Sequence, residues 1–223
     1  MKTLLSFAFL VLSIFQLNAR SVAVSDFDQV RIWGNLKVVL MESQENRVNV
    51  EYDLHEVDIS VENGVLKVKR DKALNIDSYD SQPIEVVIEY QRINTLKAAA
   101  GARVKTAKAI VGDFLKIEFV SGAQGKIEIE ANDLDLKTAS GAELKLFGKT
   151  YSQRTKVATG GMLKAHGLLC QRTYIKSNTG GEAKVVATET LEANASTGGM
   201  IYYEGGPEII SIKDNLGGDV RGY

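Results

Sequence analysis

A glycine set between small residues recurs through the second half of the chain at nearly constant spacing, and no other feature limits the fold as strongly. The copies are Ala100-Gly101-Ala102, Ser121-Gly122-Ala123, Ser140-Gly141-Ala142, Thr159-Gly160-Gly161, Thr179-Gly180-Gly181, Thr197-Gly198-Gly199 and Leu216-Gly217-Gly218, with central glycines 21, 19, 19, 20, 18 and 19 residues apart. A unit of this length cannot bury an apolar face alone and has to stack on its neighbours. Five residues before each glycine stand Ile117, Leu136, Thr155, Ile175, Ala193 and Ile212; seven before it stand Leu115, Leu134, Gln153, Thr173, Leu191 and Ile210. Three and five residues after it, the middle repeats place Leu144 and Leu146, Leu163 and Ala165, Ala183 and Val185, Ile201 and Tyr203. Alternation on both sides of a turn is the signature of strands with one buried face. A second break follows at Gly148, Gly167, Ala187 and Gly205. Each repeat therefore reads as strand, tight corner, strand, second corner and return.

The pattern predicts an all-β fold, a single-stranded parallel β-helix of seven rungs of 18 to 21 residues. At about 4.8 Å per rung the coil would extend roughly 30 Å. Right-handed coiling is expected from the general crossover preference. A left-handed hexapeptide coil is the rival, but the spacing varies and no six-residue apolar repeat is present. The corner residues follow from sterics. Gly101, Gly122, Gly141, Gly160, Gly180, Gly198 and Gly217 supply φ > 0, and an Ala or Gly after each suits crowded, stacked backbones. The hydroxyls of Ser121, Ser140, Thr159, Thr179 and Thr197 are expected to stack as a ladder that bonds neighbouring rungs. No base lies near them in sequence, so they do not read as nucleophiles.

Residues 22–95 alternate as strands less regularly, in segments such as Val30–Trp33, Leu36–Leu40, Arg47–Val50, Val57–Val61, Val65–Val68 and Ile84–Ile88. Glu62-Asn63-Gly64 supplies a hairpin turn between two of them. Residues 20–95 are expected to form the first, irregular coils and to cover the N-terminal end of the core. Residues 96–223 would form the regular repeats, and 20–223 one continuous domain. Ahead of them, Lys2, the apolar run Leu4–Leu17 and Asn18-Ala19 read as a signal peptide over residues 1–19. That run is too short to span a bilayer, and no later segment could do so. An exported protein, periplasmic or at the cell surface, is therefore expected. Its single cysteine, Cys170, cannot form an internal disulfide. Apolar residues at 44% and charged residues at 25% are ordinary for a globular chain, and the net charge of −1 argues against a generally basic nucleic-acid binder.

The opening Val24-Ser25-Asp26-Phe27-Asp28-Gln29-Val30, with Gly34 and Lys37-Val38-Val39-Leu40, resembles the start of the head GIN-domain family. The stretch Val61-Glu62-Asn63-Gly64-Val65-Leu66-Lys67-Val68 and the Ser-Gly-Ala corners resemble that family as well. The resemblance spans nearly all of the chain after the leader. It implies an exported, adhesin-like β-helical protein of Bacteroidetes-type bacteria, and it brings no catalytic residues with it.

Catalytic and metal chemistry find little support. His55 and His166 lack metal-ligand spacing, and Cys170 reads as a small apolar residue. His166 takes the repeat position held elsewhere by Glu128, Phe147, Val186 and Glu204, which suggests the surface. The Gly-Gly pairs do not open helices, so no cofactor is expected. A carbohydrate-active β-helix enzyme would need clustered carboxylates, whereas Asp135, Glu143, Glu182, Glu192 and Asp219 look scattered.

A regular pattern of basic residues is more informative. Four residues after the corner glycines stand Lys105, Lys126, Lys145, Lys164, Lys184, Tyr202 and Arg221. Four before them stand Lys97, Glu118, Lys137, Lys156, Lys176, Asn194 and Lys213. Alternation points both sets at solvent, which would give two basic ladders flanking the corner edge. These ladders suggest a non-catalytic binding or adhesion module that docks an anionic glycan or another cell-envelope polyanion. A solubilising face is the plainer reading. A structural or self-assembling solenoid is the alternative function, because the last rung is followed only by Asp219–Tyr223 and its open edge invites a homo-oligomer.

Overall fold

The computed structural model describes residues 19–51, 56–70 and 82–223. His55 and residues 1–18 of the expected leader lie outside the described residues. Every regular element is a strand, and no α-helix occurs among the described residues. The N-terminal strands are β1 (Ala19–Ala23), β2 (Gln29–Trp33), β3 (Leu36–Glu42), β4 (Arg47–Glu51), β5 (Val57–Glu62), β6 (Val65–Arg70) and β7 (Ile84–Tyr90). The coil continues with β8 (Thr95–Ala99), β9 (Arg103–Thr106), β10 (Ile110–Phe119), β11 (Gln124–Ala139), β12 (Glu143–Ala158) and β13 (Met162–Asn178). It ends with β14 (Glu182–Val186), β15 (Thr190–Ser196), β16 (Met200–Glu204), β17 (Ile209–Asn215) and β18 (Asp219–Gly222).

The strands entering the corners stack in parallel, from β8 through the ends of β10, β11, β12 and β13 to β15 and β17. They form what we term the upstream face. The strands leaving the corners stack likewise, from β9 through the starts of β11, β12 and β13 to β14, β16 and β18, and form the downstream face. The molecule is thus a parallel β-solenoid with a corner at each of the seven glycine repeats.

Each corner is a two-residue turn with positive φ at both central positions, for example Ser140 at +54° and Gly141 at +71°. That is the signature of a type I′ turn. It is closed by an i to i+3 bond such as Ala142 N–H to the Ala139 carbonyl at 3.2 Å. The glycine was expected to adopt this conformation, but the residue before it does so too, and Thr159, Thr179 and Thr197 all sit at +51°. Consecutive corners are joined through the backbone. Gly122 N–H donates to the Ser140 carbonyl at 3.0 Å, and Gly141 N–H to the Thr159 carbonyl at 3.2 Å. The expected inter-rung bonding of the corner hydroxyls is therefore corrected: the carbonyls make these bonds, and the hydroxyl-bearing side chains are exposed. Crowding accounts for the residue after each glycine. A Cβ at Gly161 or Gly199 would lie 2.5 or 2.3 Å from a backbone carbonyl oxygen of the neighbouring rung.

In the middle rungs the second break is a kink, since β11, β12 and β13 run through it as strands of 16, 16 and 17 residues, whereas at Ala187 and Gly205 the strands end. Gly148 occupies the kink at φ +104°, where a Cβ would meet the Ile129 carbonyl oxygen at 2.0 Å. Between Lys145 and Phe147 the register of β12 on β13 shifts by one residue. This bulge absorbs the extra residue of the 20-residue repeat. It also corrects the place of His166: Phe147 pairs with Gly167, and His166 is an exposed residue in the bulge.

At the N-terminal end the order in space departs from the order in sequence. β2 pairs with β8 on one side and β6 on the other, and β3 pairs with β9 and β7 in the same way. The β2–β3 rung therefore lies inside the stack and is not its outermost coil. Antiparallel strands finish that end. β5 folds back on β6 through the Asn63-Gly64 turn, β4 covers β7, and β1 covers β4.

One apolar core fills the interior, with Leu144, Leu163, Ala183 and Ile201 stacked in a single buried column. Gln153, Thr155 and Thr173 interrupt other columns and satisfy one another. Gln153 Nε2 donates to Thr173 Oγ1 at 2.9 Å, and Thr155 Oγ1 donates to Gln153 Oε1 at 3.3 Å. On the last rung Ile210 and Ile212 hold core columns but remain 49% and 40% exposed.

Gly148→Ala is expected to destabilise the fold by about 2–3 kcal/mol, because the backbone conformation and the Ile129 carbonyl both reject a side chain. Thr159→Asn is expected to stabilise it by up to about 1 kcal/mol, since Asn tolerates the left-handed region that a β-branched residue resists. Thermal unfolding of the two variants beside the parent chain checks both signs.

Candidate functional site

Alternation within each strand turns every second side chain outward, and parallel pairing without slippage stacks equivalent residues. On the downstream face Lys105, Lys126, Lys145, Lys164 and Lys184 pair in direct register, followed by Tyr202 and Arg221. On the upstream face the column runs Lys97, Glu118, Lys137, Lys156, Lys176, Asn194, Lys213. It extends further than the repeats indicated, because Arg31 pairs with Lys97 on one side and Lys67 on the other.

The two columns do not line one surface. The ring of Phe119, on the upstream side of a corner, packs beneath Gly125 on the downstream side, where an added Cβ would meet it at 2.7 Å. The core therefore lies between the two strands, and the exposed Ser and Thr corners form the convex edge where their outer faces diverge.

A groove of about 270 Å³ runs along the downstream face. Its floor is the backbone of Val38, Val104 and Gly125, which pair across three rungs. One wall is Lys37, Arg103, Gln124 and Glu143; the other is Lys105, Lys126 and Lys145. Five cations thus face one carboxylate. The repeats supplied the second wall. Lys37 escaped notice because it comes from the irregular region and joins the wall only when β3 pairs with β9, and Arg103 because its repeat position is Gln124, Glu143 and Met162 in the next rungs.

The charges in the groove are unevenly satisfied. Lys37 is paired with Glu85. Glu143 accepts from Lys164 at 2.7 Å and lies 3.7 Å from Lys145, and the Lys164 hydrogen bond leads in holding its carboxyl below the usual range. Arg103, Lys105 and Lys126 have no ion pair among the described residues. Lys126 instead lies 5.6 Å from the Phe147 ring centroid, and Lys184 lies 5.8 Å from that of Tyr202. On the upstream face Glu118 is bracketed by Lys97 at 3.3 Å and Lys137 at 2.6 Å. Burial works to raise its carboxyl, but the two ammonium groups outweigh burial and hold it below the usual range. Arg221 is tied to Asp219 at 2.6 Å.

The carboxylates are more ordered than their sequence positions suggested. Glu143, Glu182 and Asp219 share one outward column, separated by Met162 and Met200. They stand two rungs apart, about 9.6 Å. A glycosidase acid requires a raised pKa, and Glu143 is shifted the other way. No group of three or more potential metal ligands occurs among the described residues. Cys170 is buried, stacked on Thr150, with its thiol pushed up by burial.

The family model described as "Putative auto-transporter adhesin, head GIN domain" matches residues 26–207. The chain belongs to this family. The resemblance read from its N-terminal motifs and corners is confirmed. A solved structure from Bacteroides fragilis described as a "putative adhesin" superposes with a TM-score of 0.81 at 17% identity, covering 92% of this chain and 96% of that one. A "putative adhesin" from Parabacteroides merdae gives 0.72 at 21% identity, covering 92% and 95%. A "Putative lipid binding protein" from Parabacteroides distasonis gives 0.70 at 21% identity, covering 93% and 98%. At these identities the structures establish the shared solenoid and not a shared ligand. No curated protein sequence matches at a significant level.

Glu143→Gln, which removes the one carboxylate from the groove wall, is expected to raise affinity for an anionic ligand. A gain of roughly threefold to fivefold follows from a solvent-screened charge of order 1 kcal/mol. Titration of the variant and the parent with dextran sulfate at equal ionic strength checks the direction.

Proposed function

We propose that this head GIN-domain protein is an exported, non-catalytic binding module whose downstream groove docks a linear polyanion, such as an acidic polysaccharide of the cell envelope. The observation that carries the reading is the groove itself. Lys105, Lys126 and Lys145 stand on consecutive rungs along one wall, with Lys37 and Arg103 opposite. Cations held about 4.8 Å apart on a rigid ladder present their charge in a fixed row. Converging positive groups also concentrate the local field and speed encounter with a negative chain. An adhesin family description agrees with a binding role and with a location in the periplasm or at the cell surface. A catalytic reading finds no group of three or more potential metal ligands among the described residues, and the Glu143 carboxyl is held low where a general acid needs it raised.

A second reading, end-to-end association of copies into a structural solenoid, is favoured by the exposed Ile209, Ile210, Ile212 and Leu216 of the last corner and its leading strand. Asp214 opposes it. This residue pairs with Ala195 in an inward-facing column, and an inward charge on an edge strand discourages further pairing. A monomeric mass in solution would remove this second reading.

Lys105→Gln, Lys126→Gln and Lys145→Gln combined are expected to weaken dextran sulfate binding by roughly tenfold to a hundredfold. Each exposed ion contact contributes about 0.5–1 kcal/mol. The melting temperature should not fall, because all three side chains face solvent. Undiminished binding to the triple variant would contradict the proposal, as would retention on anionic vesicles but on no polysaccharide.

A further inference from the structure

The chain contains one tryptophan, Trp33, and it is 53% exposed. Other large side chains are exposed as well, among them Phe114, Tyr151 and Leu169, but the indole is set apart by the cations around it. Trp33 lies on β2, in the outward column nearest the corner edge, with Lys69 of β6 paired to it on one side and Ala99 of β8 on the other. Arg31, two residues back on the same strand, also points outward and is exposed. Neither Arg31 nor Lys69 has an ion pair among the described residues. Ala99 is only 7% exposed, and Ala139 and Ala158, further along the same outward column, are 6% and 8% exposed. Val120 stands between Ala99 and Ala139 in this column, so the low surface directly beside the indole is that of Ala99, bordered by the column Arg31, Lys97, Glu118, Lys137, Lys156 and Lys176.

These features differ from those of the downstream groove. That groove offers cations over a backbone floor, whereas the upstream face offers a flat aromatic surface between unpaired cations at the head of a basic track. Simple polyanions need no aromatic platform. A chain of sugar rings carrying carboxylate or sulfate groups uses both, with the apolar ring face against the indole and its charges on the flanking guanidinium and ammonium groups. Because the two faces diverge from the corner edge with the core between them, a chain on one does not occupy the other.

We infer that the upstream face is a second, separate site for an acidic polysaccharide, in which Trp33 stacks on a sugar ring and Arg31 and Lys69 hold its anionic substituents. The inference rests on the polyanion reading above and adds a second face and a sugar backbone to it. It makes the protein divalent, able to bridge two glycan chains.

As the sole tryptophan, Trp33 reports its own site by fluorescence. The protein is titrated with polygalacturonate, and separately with inorganic polyphosphate, while tryptophan emission and total binding are both followed. Polygalacturonate is expected to shift Trp33 emission. Lys105→Gln/Lys126→Gln/Lys145→Gln should leave the midpoint of that shift within about twofold, and Arg31→Gln/Lys69→Gln should raise it at least fivefold. Circular dichroism establishes that both variants are folded. Silent Trp33 emission while polygalacturonate still binds through the downstream lysines would overturn the second site and spare the groove. Absence of all polyanion binding would overturn the groove proposal itself. An equal shift with polyphosphate would overturn the role assigned to the sugar ring.

Discussion

At five of the six junctions between corners, one rung is tied to the next by a backbone bond from a glycine N–H to the carbonyl of the residue beside the following glycine, and the rest of the architecture depends on that junction. The bond recurs from Gly101 to Ser121, Gly122 to Ser140, Gly141 to Thr159, Gly160 to Thr179 and Gly180 to Thr197, always within 3.0–3.2 Å. It requires two successive residues at positive φ. Glycine takes this conformation freely, and Ser or Thr does so at some cost. A slip of one residue at any corner would turn core residues to solvent and lysines inward, so the corner fixes the faces as well as the fold.

The surface chemistry follows from that registration. Lysines four residues from a corner stack because the corners stack, without any need to attract one another. The resulting repulsion is relieved in different ways along the ladders. Glu118 is inserted between Lys97 and Lys137, Glu143 reaches Lys164 and Lys145, and Lys126 and Lys184 lie over aromatic rings. Lys105 and Lys156 have no such relief among the described residues, and their charge is available to a ligand. Two faces with unspent positive charge on a protein of net charge −1 mark a segregated surface rather than a basic protein.

The regular coil was legible in the sequence because its period, its alternation and its corner glycines all agree. Gly141 and Leu144 fix one corner and one buried face, and Lys145 then has to point outward. The N-terminal end was not legible to the same degree. β2, β3, β6 and β7 alternate alike, and nothing local specifies that β2 inserts between β8 and β6. Long-range pairing makes that choice. The groove was half legible for the same reason: Lys105, Lys126 and Lys145 belong to the repeat, while Lys37 arrives through β3. His166 was misplaced because a one-residue bulge leaves no mark in the apolar pattern beyond a spacing of 20 in place of 19. The carboxylate column of Glu143, Glu182 and Asp219 was missed because methionines occupy the intervening rungs.

The most direct test of a rigid cation ladder as a polyanion surface is the salt dependence of dextran sulfate affinity. A chain that displaces counterions from several lysines at once loses affinity linearly on a log–log plot against salt concentration, with a slope close to the number of charges engaged. Contact with at least three of the lysines and arginines of the groove requires a slope of roughly −2 or steeper. Affinity that holds constant across the salt series would contradict the account.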